Sequence, residues 1–400
     1  MNEVQRPRKM KTLKDLPVAG KRVLLRCDFD VPLTEAGQVA VADDYRIQKA
    51  VPTIEYLIEK RAKVILMAHL GRPHGKVVEQ MRLAPVQGKL MEYLGLSITK
   101  AQDCVGPEIE EYVSKMQEGE ILLLENLRFH KEEEEGGNDD NFARQLAKLG
   151  DFYVNDAFAN SHRNHASMAS LPKYLPSAAG LFLEKEVKIL SRILHNPWRP
   201  LAVIIGGVKI DSKIDVIEQF LEKADHLLLG GEIANTILQA KSVIVGKLMP
   251  PEDVLKKIEK IDITNPKLHL PLDGLISLEN RQEQYFRVGG VGSVKKEESV
   301  FDIGPETIKV FSEIIKSAKM ILWSGPLGVF EQERFERGTR EVALIAARNH
   351  AAFKAAGGGD TISSLNKFNL TDKFDHISTG GGAMLEFLSG KTLPGLEALK

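Results

Sequence analysis

Arginine and histidine side chains gather in short, turn-rich motifs in the first half of the sequence. The motifs are Ala68-His69-Leu70-Gly71-Arg72-Pro73, Glu125-Asn126-Leu127-Arg128-Phe129 and Ser161-His162-Arg163-Asn164-His165. Arginine binds carboxylate and phosphate oxygens through paired hydrogen bonds and stays charged at every relevant pH. With Arg26 and Arg46, these groups predict a pocket for a small polyanion. Taken singly, each arginine fits a surface residue equally well, and each histidine fits a structural one.

Glycine clusters dominate the second half, each directly after an apolar run. They are Gly206-Gly207, Gly230-Gly231, Gly357-Gly358-Gly359 and Gly380-Gly381-Gly382. Glycine lets a backbone approach phosphate closely, and the N–H groups that begin the next helix attract anions. Four such turns favour a nucleotide site, although many strand–helix connections use glycine for geometry alone. The Walker pattern does not occur, and G-x-G-x-x-G does not follow Ile205, so a standard P-loop or NAD enzyme is excluded.

Two lysines and one aspartate near these turns are candidates for contact with phosphate and Mg²⁺. Lys209 and Lys213 are four residues apart, so on a helix they would share one face. Solvated lysines are the simpler alternative, but their position after a strand and two glycines favours function. Asp360 stands at an expected helix start, where it fits a magnesium carboxylate, an N-cap or both.

Composition excludes several classes of function. The 400 residues predict two domains, and the apolar fraction of 43% with 27% charged residues is typical of a globular protein. A net charge of -1 argues against nucleic-acid binding by bulk electrostatics, and no apolar run approaches the ~18 residues of a membrane helix. Residues 1–14 lack the apolar segment of a secretory signal. Two cysteines permit neither a disulfide framework nor a structural zinc site, so we expect a cytoplasmic protein.

Apolar runs of strand length alternate with helical patterns, which predicts two doubly wound, Rossmann-like α/β domains with parallel sheets. Ligands bind such sheets at the carboxyl ends of their strands, and the motifs above lie there. The runs cover residues 22–26, 63–67, 121–124, 152–154, 201–205, 226–229, 320–323 and 376–378, and the amphipathic stretches include 47–60 and 213–223.

One helical pattern near the middle of the chain is a candidate connector between the domains. Residues 184–194 have helical spacing and are followed by Pro197 and Pro200, which end helices. A rival interpretation is an ordinary helix packed within one domain. The acidic run 132–135, followed by Gly136-Gly137, is interpreted as a solvated loop or helix end rather than a metal site.

In their order and spacing, the motifs resemble those of the phosphoglycerate kinase family nearly from end to end. The landmarks are Arg26-Cys27-Asp28-Phe29-Asp30-Val31-Pro32, His69-Leu70-Gly71-Arg72-Pro73, Leu124-Glu125-Asn126-Leu127-Arg128-Phe129, Val154-Asn155-Asp156-Ala157-Phe158, His162-Arg163, Trp323-Ser324-Gly325-Pro326, Gly328-Val329-Phe330-Glu331, Gly358-Gly359-Asp360-Thr361, Ser378-Thr379-Gly380-Gly381-Gly382 and Leu393-Pro394-Gly395.

The resemblance implies a monomeric, glycolytic hinge enzyme that transfers a phosphoryl group between 1,3-bisphosphoglycerate and ADP, giving 3-phosphoglycerate and ATP with Mg²⁺. It implies a substrate domain (1–183), a hinge (184–199), a nucleotide domain (200–384) and a tail (385–400) that returns to the first domain. The implied acid-binding residues are Asp28, Asp30, Arg46, His69, Arg72, Arg128, His162 and Arg163. The implied nucleotide-binding residues are Gly207, Val208, Lys209, Lys213, Gly230, Ser324, Glu331, Gly358, Gly359, Asp360 (also the metal ligand) and Thr361.

The implied chemistry needs no general base, because the attacking carboxylate is already ionised at pH 7. Catalysis then rests on positioning and charge stabilisation. The expected catalytic groups are Arg46, Lys209 and the backbone amides of Gly381 and Gly382 at a helix start.

The sequence departs from the family pattern at several positions. Asp30 replaces the usual asparagine, and a carboxylate there should repel an anionic substrate unless it binds a hydroxyl or pairs with an arginine. Ser324 replaces another asparagine, and changes also occur at 159–161, 209–213 and 230–235. Two alternatives therefore stay open: a phosphotransferase for a related acid, and a non-catalytic binding protein with the same fold.

Overall fold

The computed structural model describes residues 10–34, 44–135, 140–243, 251–278 and 286–400. The chain forms two compact units, one of Met1–Lys188 with Thr392–Lys400 and the other of Ile189–Lys391. The division falls inside a single helix, Leu181–His195. The sequence had predicted domain boundaries after residues 183, 199 and 384. In the structure, nine residues at the end of the chain belong with the first unit, whereas sixteen were expected.

The first unit is built on a six-stranded parallel sheet whose strands follow the order β3-β4-β2-β1-β5-β6. Strand order reverses between β1 and β5, which makes their carboxyl ends the expected ligand-binding crevice. The strands are β1 (Arg22–Arg26), β2 (Lys63–Met67), β3 (Thr99–Lys100), β4 (Ile121–Leu123), β5 (Phe152–Asn155) and β6 (Ser177–Ala179). The helices are α1 (Tyr45–Glu59), α2 (Ala84–Leu94), α3 (Pro107–Lys115), α4 (Asn141–Ala147) and α5 (Leu181–His195).

The second unit repeats this plan with the strand order β15-β14-β13-β7-β8-β9. Its order reverses between β7 and β13, and all five residues of each of these strands are buried. The sheet strands are β7 (Leu201–Ile205), β8 (His226–Leu229), β9 (Leu268–His269), β13 (Met320–Ser324), β14 (Phe353–Gly357) and β15 (His376–Ser378). The helices are α6 (Ile214–Lys223), α7 (Gly231–Ala240), α8 (Glu252–Lys260), α9 (Pro305–Ser317), α10 (Arg337–Arg348), α11 (Gly359–Lys367) and α12 (Gly382–Leu388).

A small antiparallel sheet in the second unit was not predicted. It has the order β11-β10-β12 and consists of β10 (Asp273–Leu278), β11 (Phe286–Gly290) and β12 (Glu298–Ile303). Strand β11 alternates between exposed and half-buried residues, so it lacks the continuous apolar run that reveals the parallel strands. Apart from this addition, the predicted class of two parallel-sheet α/β domains is confirmed.

The end of the chain packs against the first unit through a short helix, α13 (Pro394–Glu397). The Gly395 amide donates to the Ser161 carbonyl at 2.9 Å, and Asn155 Nδ2 donates to the Gly395 carbonyl at 3.4 Å. A Cβ atom at Gly395 would lie 3.0 Å from the Ser161 Cα atom. Glycine therefore lets the terminal segment approach the loop after β5, which carries part of the candidate site.

The acidic run is solvated as predicted at Glu134 and Glu135, but not at Glu133. Lys131–Glu133 form a 3₁₀ helix in which Glu133 is completely buried, while Glu134 and Glu135 are exposed. Gly136-Gly137 lie outside the described residues. The error has a simple cause: consecutive glutamates show no periodicity, so the sequence does not reveal which of them points inward.

Cys27 and Cys104 are free thiols buried in the first unit. Among the helices of the described residues, none combines the length and the apolarity needed to cross a membrane.

Candidate functional site

Two aspartates follow β1 and meet an arginine from the first turn of α1. The Arg46 Nη1 atom lies 3.2 Å from Asp28 Oδ2 and donates to the Asp30 carbonyl at 3.1 Å. The Asp28 side chain is almost fully buried, whereas about a third of the Arg46 side chain stays exposed. These contacts hold the guanidinium group through its Nη1 atom and leave part of the side chain accessible to a ligand.

Arg26, the last residue of β1, determines the protonation pattern of His69. Its Nη2 atom lies 3.2 Å from His69 Nδ1, and because arginine can only donate, Nδ1 is the acceptor. Burial lowers the pKa of His69 to about 4 despite the neighbouring Asp30, so the ring is neutral at pH 7. Its single proton is then on Nε2, which lies 3.7 Å from Asp30 Oδ2.

The Asp30 carboxylate is stabilised without a side-chain contact to arginine. Its Oδ1 atom accepts from the Gly71 amide at 2.8 Å, and Oδ2 faces His69. Burial favours the neutral acid, but hydrogen bonds from His69 and Gly71, with the charge of Arg46, hold the pKa well below its usual range. Asp30 is therefore ionised, and its charge is directed at the loop after β2.

Arg128 lies on a 3₁₀ helix, Leu127–Phe129, after β4. It is buried, its Nη1 atom donates to the Gly71 carbonyl at 2.9 Å, and its Nε atom lies 2.9 Å from Glu134 Oε1. Burial lowers the pKa of Arg128, and Arg163 is close enough for its like charge to add to this effect. The loops after β2, β4 and β5 thus concentrate positive charge at one edge of the sheet.

The remaining predicted residues of the first unit lie on these same loops. Arg72 is exposed after β2, whereas His162 and Arg163 are half-buried after β5. Since β4, β2, β1 and β5 are neighbours in one parallel sheet, all the predicted acid-site residues lie beyond the same sheet edge or on α1 beside it. Direct contacts join Asp28, Arg46, Asp30 and His69, and Gly71 links Asp30 to Arg128.

Two glycine turns of the second unit pack backbone against backbone. The Gly207 amide donates to the Pro326 carbonyl at 2.7 Å, and the Gly231 amide donates to Leu327 at 3.0 Å. Gly231 has a φ of 61°, and a Cβ atom there would lie 2.8 Å from the Gly207 nitrogen. These two amides are thus used by the protein, and glycine is needed here for close approach of the chain.

The other two glycine clusters begin helices. Gly358 is the N-cap of α11, with a φ of 101°, and Gly381 is the N-cap of α12, with a φ of 41°. The first N–H groups of a helix have no partner within it and can bind an anion. Asp360 lies in the first turn of α11 and is exposed, so the N-cap alternative for Asp360 is wrong.

The two candidate lysines do not share a helical face, and that prediction is wrong. Helix α6 begins only at Ile214, with Lys213 as its N-cap, and Lys209 is exposed in the preceding loop. The Lys213 Nζ atom donates to the carbonyls of Gly206 at 2.5 Å and Ser324 at 3.3 Å. Burial lowers the pKa of Lys213 to about 8, although Asp360 opposes this shift. Lys213 therefore ties the β7 and β13 turns together.

Thr361 and Ser324 are also built into the turns. The Thr361 hydroxyl accepts from the Gly325 amide at 2.7 Å and donates to the Gly357 carbonyl at 2.9 Å. Ser324 ends β13 and is buried. The Thr361 hydroxyl thus positions the turn, and its proton is donated within the protein rather than to a ligand.

A cavity of about 690 Å³ opens beside these turns, within the size range of small-molecule sites. Of the predicted nucleotide residues, four line it: Gly207, Val208, Glu331 and Asp360. Lys209, Lys213, Gly230, Ser324, Gly358, Gly359 and Thr361 are not among its lining residues. The glycine backbone allows a phosphate to approach closely, and Val208 offers an apolar contact to a ring. The two carboxylates, Glu331 and Asp360, suit a hydroxyl group or a cation.

Several residues beside the candidate sites were absent from the predicted site residues, although Gly231 belongs to one of the glycine clusters named above. Gly231, Glu232, Asn235 and Asp302 line the cavity of the second unit, and Glu133 with Ser167 lies beneath Arg26 in the first. The position of Gly231 after β8 was a usable signal. The sequence carried no such signal for Glu133 or Asp302, because buried carboxylates are rare and no local pattern marks them.

A second group of possible metal ligands lies in the first unit. Donor atoms of Asp103, Cys104 and His130 lie within 4.8 Å of one another. His130 Nε2 is 2.6 Å from Asp103 Oδ1, and the Cys104 thiol donates to the Glu125 carbonyl at 3.0 Å. Asp103 and His130 thus pair with each other and the Cys104 thiol has a backbone acceptor, so we assign no ion to these groups.

The fold defines a class of protein, the α/β proteins with two units that are each built on a six-stranded parallel sheet. The model of the phosphoglycerate kinase family matches residues 13–391. The chain therefore belongs to the phosphoglycerate kinase family, whose members are glycolytic kinases that transfer a phosphoryl group between 1,3-bisphosphoglycerate and ADP.

Similar proteins support this assignment over the whole chain. The phosphoglycerate kinase of Pelotomaculum thermopropionicum is 47% identical over 393 residues, which cover 97% of this chain and 98% of the relative. That of Moorella thermoacetica is 47% identical over 392 residues, with the same coverage. The solved structure from Coxiella burnetii has a TM-score of 0.85 at 38% identity and covers 98% of this chain and 99% of its own.

Proposed function

We propose that the first unit binds 3-phosphoglycerate and the acyl phosphate through Asp28, Asp30, Arg46, His69, Arg72, Arg128, His162 and Arg163. The observation that carries this proposal is the convergence of four arginines beyond one sheet edge, where the order of the strands reverses. Arginine in such numbers suits a ligand with separate phosphate and carboxylate groups. The neutral His69 ring offers its Nε2 proton to a substrate oxygen.

The nucleotide belongs in the cavity of the second unit. Gly207, Val208, Glu331 and Asp360 line it, and Lys213 and Thr361 hold its turns in place. Gly358 and Gly359 start α11 and offer amides to phosphate oxygens. Gly230, the N-cap of α7 directly after β8, and Ser324, the last residue of β13, contribute through their backbone positions.

The residues present fit a magnesium ion carried by the nucleotide. Asp360 is an exposed carboxylate beside a helix start, and Mg²⁺ is commonly held by one or two carboxylates together with substrate phosphates. Asp360 would hold the ion, which neutralises phosphate charge when bound. Its neighbour Lys213 approaches Asp360 closely enough to interact with its charge.

Transfer is then a matter of placement and charge. The substrate carboxylate is ionised at pH 7, so none of these residues has to remove a proton. Arg46 and Lys209 donate to the transferring phosphoryl oxygens, and the amides of Gly381 and Gly382 at the start of α12 complete the cradle. Because the reacting atoms must approach within about 3.5 Å, the hinge must close to join the two substrates and exclude water.

The protein acts as a cytoplasmic monomer in this proposal. Two free, buried cysteines fit a reducing compartment, and the two units of one chain together supply both half-sites. Sedimentation equilibrium at micromolar concentration should give the mass of one chain.

A coupled assay with 3-phosphoglycerate, MgATP and a panel of other acids and nucleotides tests the proposal. We expect turnover that depends on Mg²⁺ and is fastest with 3-phosphoglycerate. Faster turnover of another acid would favour the alternative phosphotransferase, for which Asp30 and Ser324 are the support. No turnover with any pair would favour the binding protein.

A further inference from the structure

Glu133 is a completely buried carboxylate beneath the acid site, and the mechanism above does not use it. Its Oε1 atom accepts from the Ser167 hydroxyl at 2.6 Å, and its Oε2 atom accepts from the Ser167 amide at 2.9 Å. Burial raises the pKa of Glu133, and Arg26 and Ser167 oppose the shift. An isolated buried carboxylate is costly, so its partners must compensate for lost hydration.

Arg26 supplies the opposite charge and is just as buried. Its Nη2 atom lies 3.8 Å from Glu133 Oε1, and its Nε atom donates to the Ser167 hydroxyl at 2.9 Å. Nη1 donates to the Cys27 carbonyl. The Ser167 hydroxyl oxygen therefore accepts from Arg26 while its proton is donated to Glu133. The three side chains form one hydrogen-bond network.

This hydrogen-bond network contacts the proposed substrate site through His69. The same Arg26 Nη2 atom that faces Glu133 donates to His69 Nδ1, which keeps the ring proton on Nε2. A rotated Arg26 would release Nδ1, so that only the Asp30 carboxylate, 3.7 Å from Nε2, would still favour a proton on Nε2. In the molecules that then adopt the other tautomer, the ring would no longer donate toward the site.

A second consequence concerns charge. Glu133 compensates the buried Arg26, while Arg46 and Arg72 keep exposed surface at the sheet edge. His165 Nδ1 lies 3.8 Å from Glu133 Oε1, but burial and the surrounding arginines lower the pKa of His165 to about 3, so it adds no charge.

We propose that Glu133 is a positioning residue for the acid site: with Ser167 it orients Arg26, and through Arg26 it fixes His69 in the tautomer that donates from Nε2. This inference rests on the proposed function, because it assumes that His69 faces the acid substrate. It assigns a role to a residue that never touches that substrate.

The tautomer can be read directly in the wild-type protein. Nitrogen-15 chemical shifts of the His69 ring at pH 7 distinguish a protonated Nε2 from a protonated Nδ1. We expect protonated Nε2. Protonated Nδ1 in the wild-type protein would overturn the proposal, and this result needs no variant and no substrate.

Glu133→Gln tests the link from Glu133 to His69, with Glu135→Gln as an exposed control on the same segment. In Glu133→Gln we expect the His69 nitrogen shifts to move and the KM for 3-phosphoglycerate to rise about tenfold, the scale of an unsatisfied charged partner. The KM for ATP should stay within about twofold. Glu135→Gln should leave all three unchanged.

Ser167→Ala keeps the proposal falsifiable if Glu133→Gln does not fold. It removes the hydroxyl between Glu133 and Arg26 and should give the same changes at a smaller magnitude. Unchanged His69 shifts and an unchanged KM for 3-phosphoglycerate in the folded variants would refute the positioning role. A wild-type protein that binds no 3-phosphoglycerate in calorimetry would refute the proposed function instead.

Discussion

Lys209 is the exposed lysine of the loop after β7, and its role in charge stabilisation can be isolated by mutation. Lys209→Ala should lower kcat by about 10²–10³, the scale of losing one preorganised donor, while both KM values change little. Steady-state kinetics with 3-phosphoglycerate and MgATP measure this. Lys319→Ala, an exposed lysine just before the amino end of β13, is the matched control. Near wild-type turnover of Lys209→Ala would remove Lys209 from the mechanism.

In the proposed acid site, Asp30 carries a negative charge beside a substrate that is also negative. Asp30→Asn keeps an oxygen that can accept from the Gly71 amide but removes the charge. We expect the KM for 3-phosphoglycerate to fall about three- to tenfold, because a close like charge near a protein surface costs about 1 kcal/mol or more. The comparison is Asp28→Asn, which loses the ion pair to Arg46 and should raise that KM. A rise for both variants would mean that the contact of Asp30 with the substrate outweighs the repulsion between their charges.

At the scale of elements, Asp156 joins the end of β5 to the start of α5. Its Oδ1 atom accepts from the amides of Phe182 at 2.9 Å and Leu183 at 3.0 Å, and the side chain is buried. Burial raises the pKa of Asp156 from 3.8 to about 7. Because Asp156 titrates near neutral pH, the free energy of unfolding should depend on pH through this contact with α5.

The sign of this coupling follows from the protons bound. Between about pH 4 and pH 7 the folded protein keeps a proton on Asp156 that the unfolded chain releases, so this group stabilises less as pH rises and its effect is constant above about pH 7. Asp156→Asn, which mimics the neutral acid, should gain about 2–3 kcal/mol relative to wild type between pH 5 and pH 8. Urea unfolding at both values measures it.

Glu108→Gln, an exposed substitution on α3, is the control for this comparison and should follow wild type at both values. If the difference between Asp156→Asn and wild type does not change with pH, then Asp156 is ionised throughout and the hydrogen bonds to α5 outweigh its burial.

The elements most easily predicted were those with the most direct physical signal. Strands such as β7 and β13 are buried on both faces, so continuous apolar letters reveal them. Strands β3 and β9 have only two residues each, and β14 combines Lys354 with small residues, so they give no such run. Because the motifs follow strands, the sequence also indicated the sheet edge at which the candidate site lies.

Details of the site were less predictable because they depend on contacts between distant segments. The spacing of Lys209 and Lys213 would place them on one face only if α6 began before Lys209, and it begins at Ile214. The burial of Glu133 depends on Ser167, which is 34 residues away in the sequence. A local sequence pattern does not locate the first residue of a helix to within one turn. It also does not reveal which carboxylate is buried.

At the scale of the whole molecule, the proposed binding of one substrate by each unit predicts opposite losses from two substitutions. Arg72→Ala should weaken binding of 3-phosphoglycerate and leave ADP binding unchanged, because Arg72 lies in the first unit. Asp360→Ala should weaken MgADP binding and leave 3-phosphoglycerate binding unchanged, since Asp360 lines the cavity of the second unit. Calorimetry with each ligand alone measures both, and the reverse pattern would overturn the assignment of ligands to units.

The terminal segment has a consequence for how the protein is made. Thr392–Lys400 belong to the first unit, and Gly395 bonds to Ser161 and Asn155, so the second unit is an insertion within the first. A ribosome that has released the first 188 residues has not yet synthesised the segment that completes that unit. The first unit is thus completed only after the second has been synthesised, and a chain that stopped at Lys391 would leave the first unit, rather than the second, without α13.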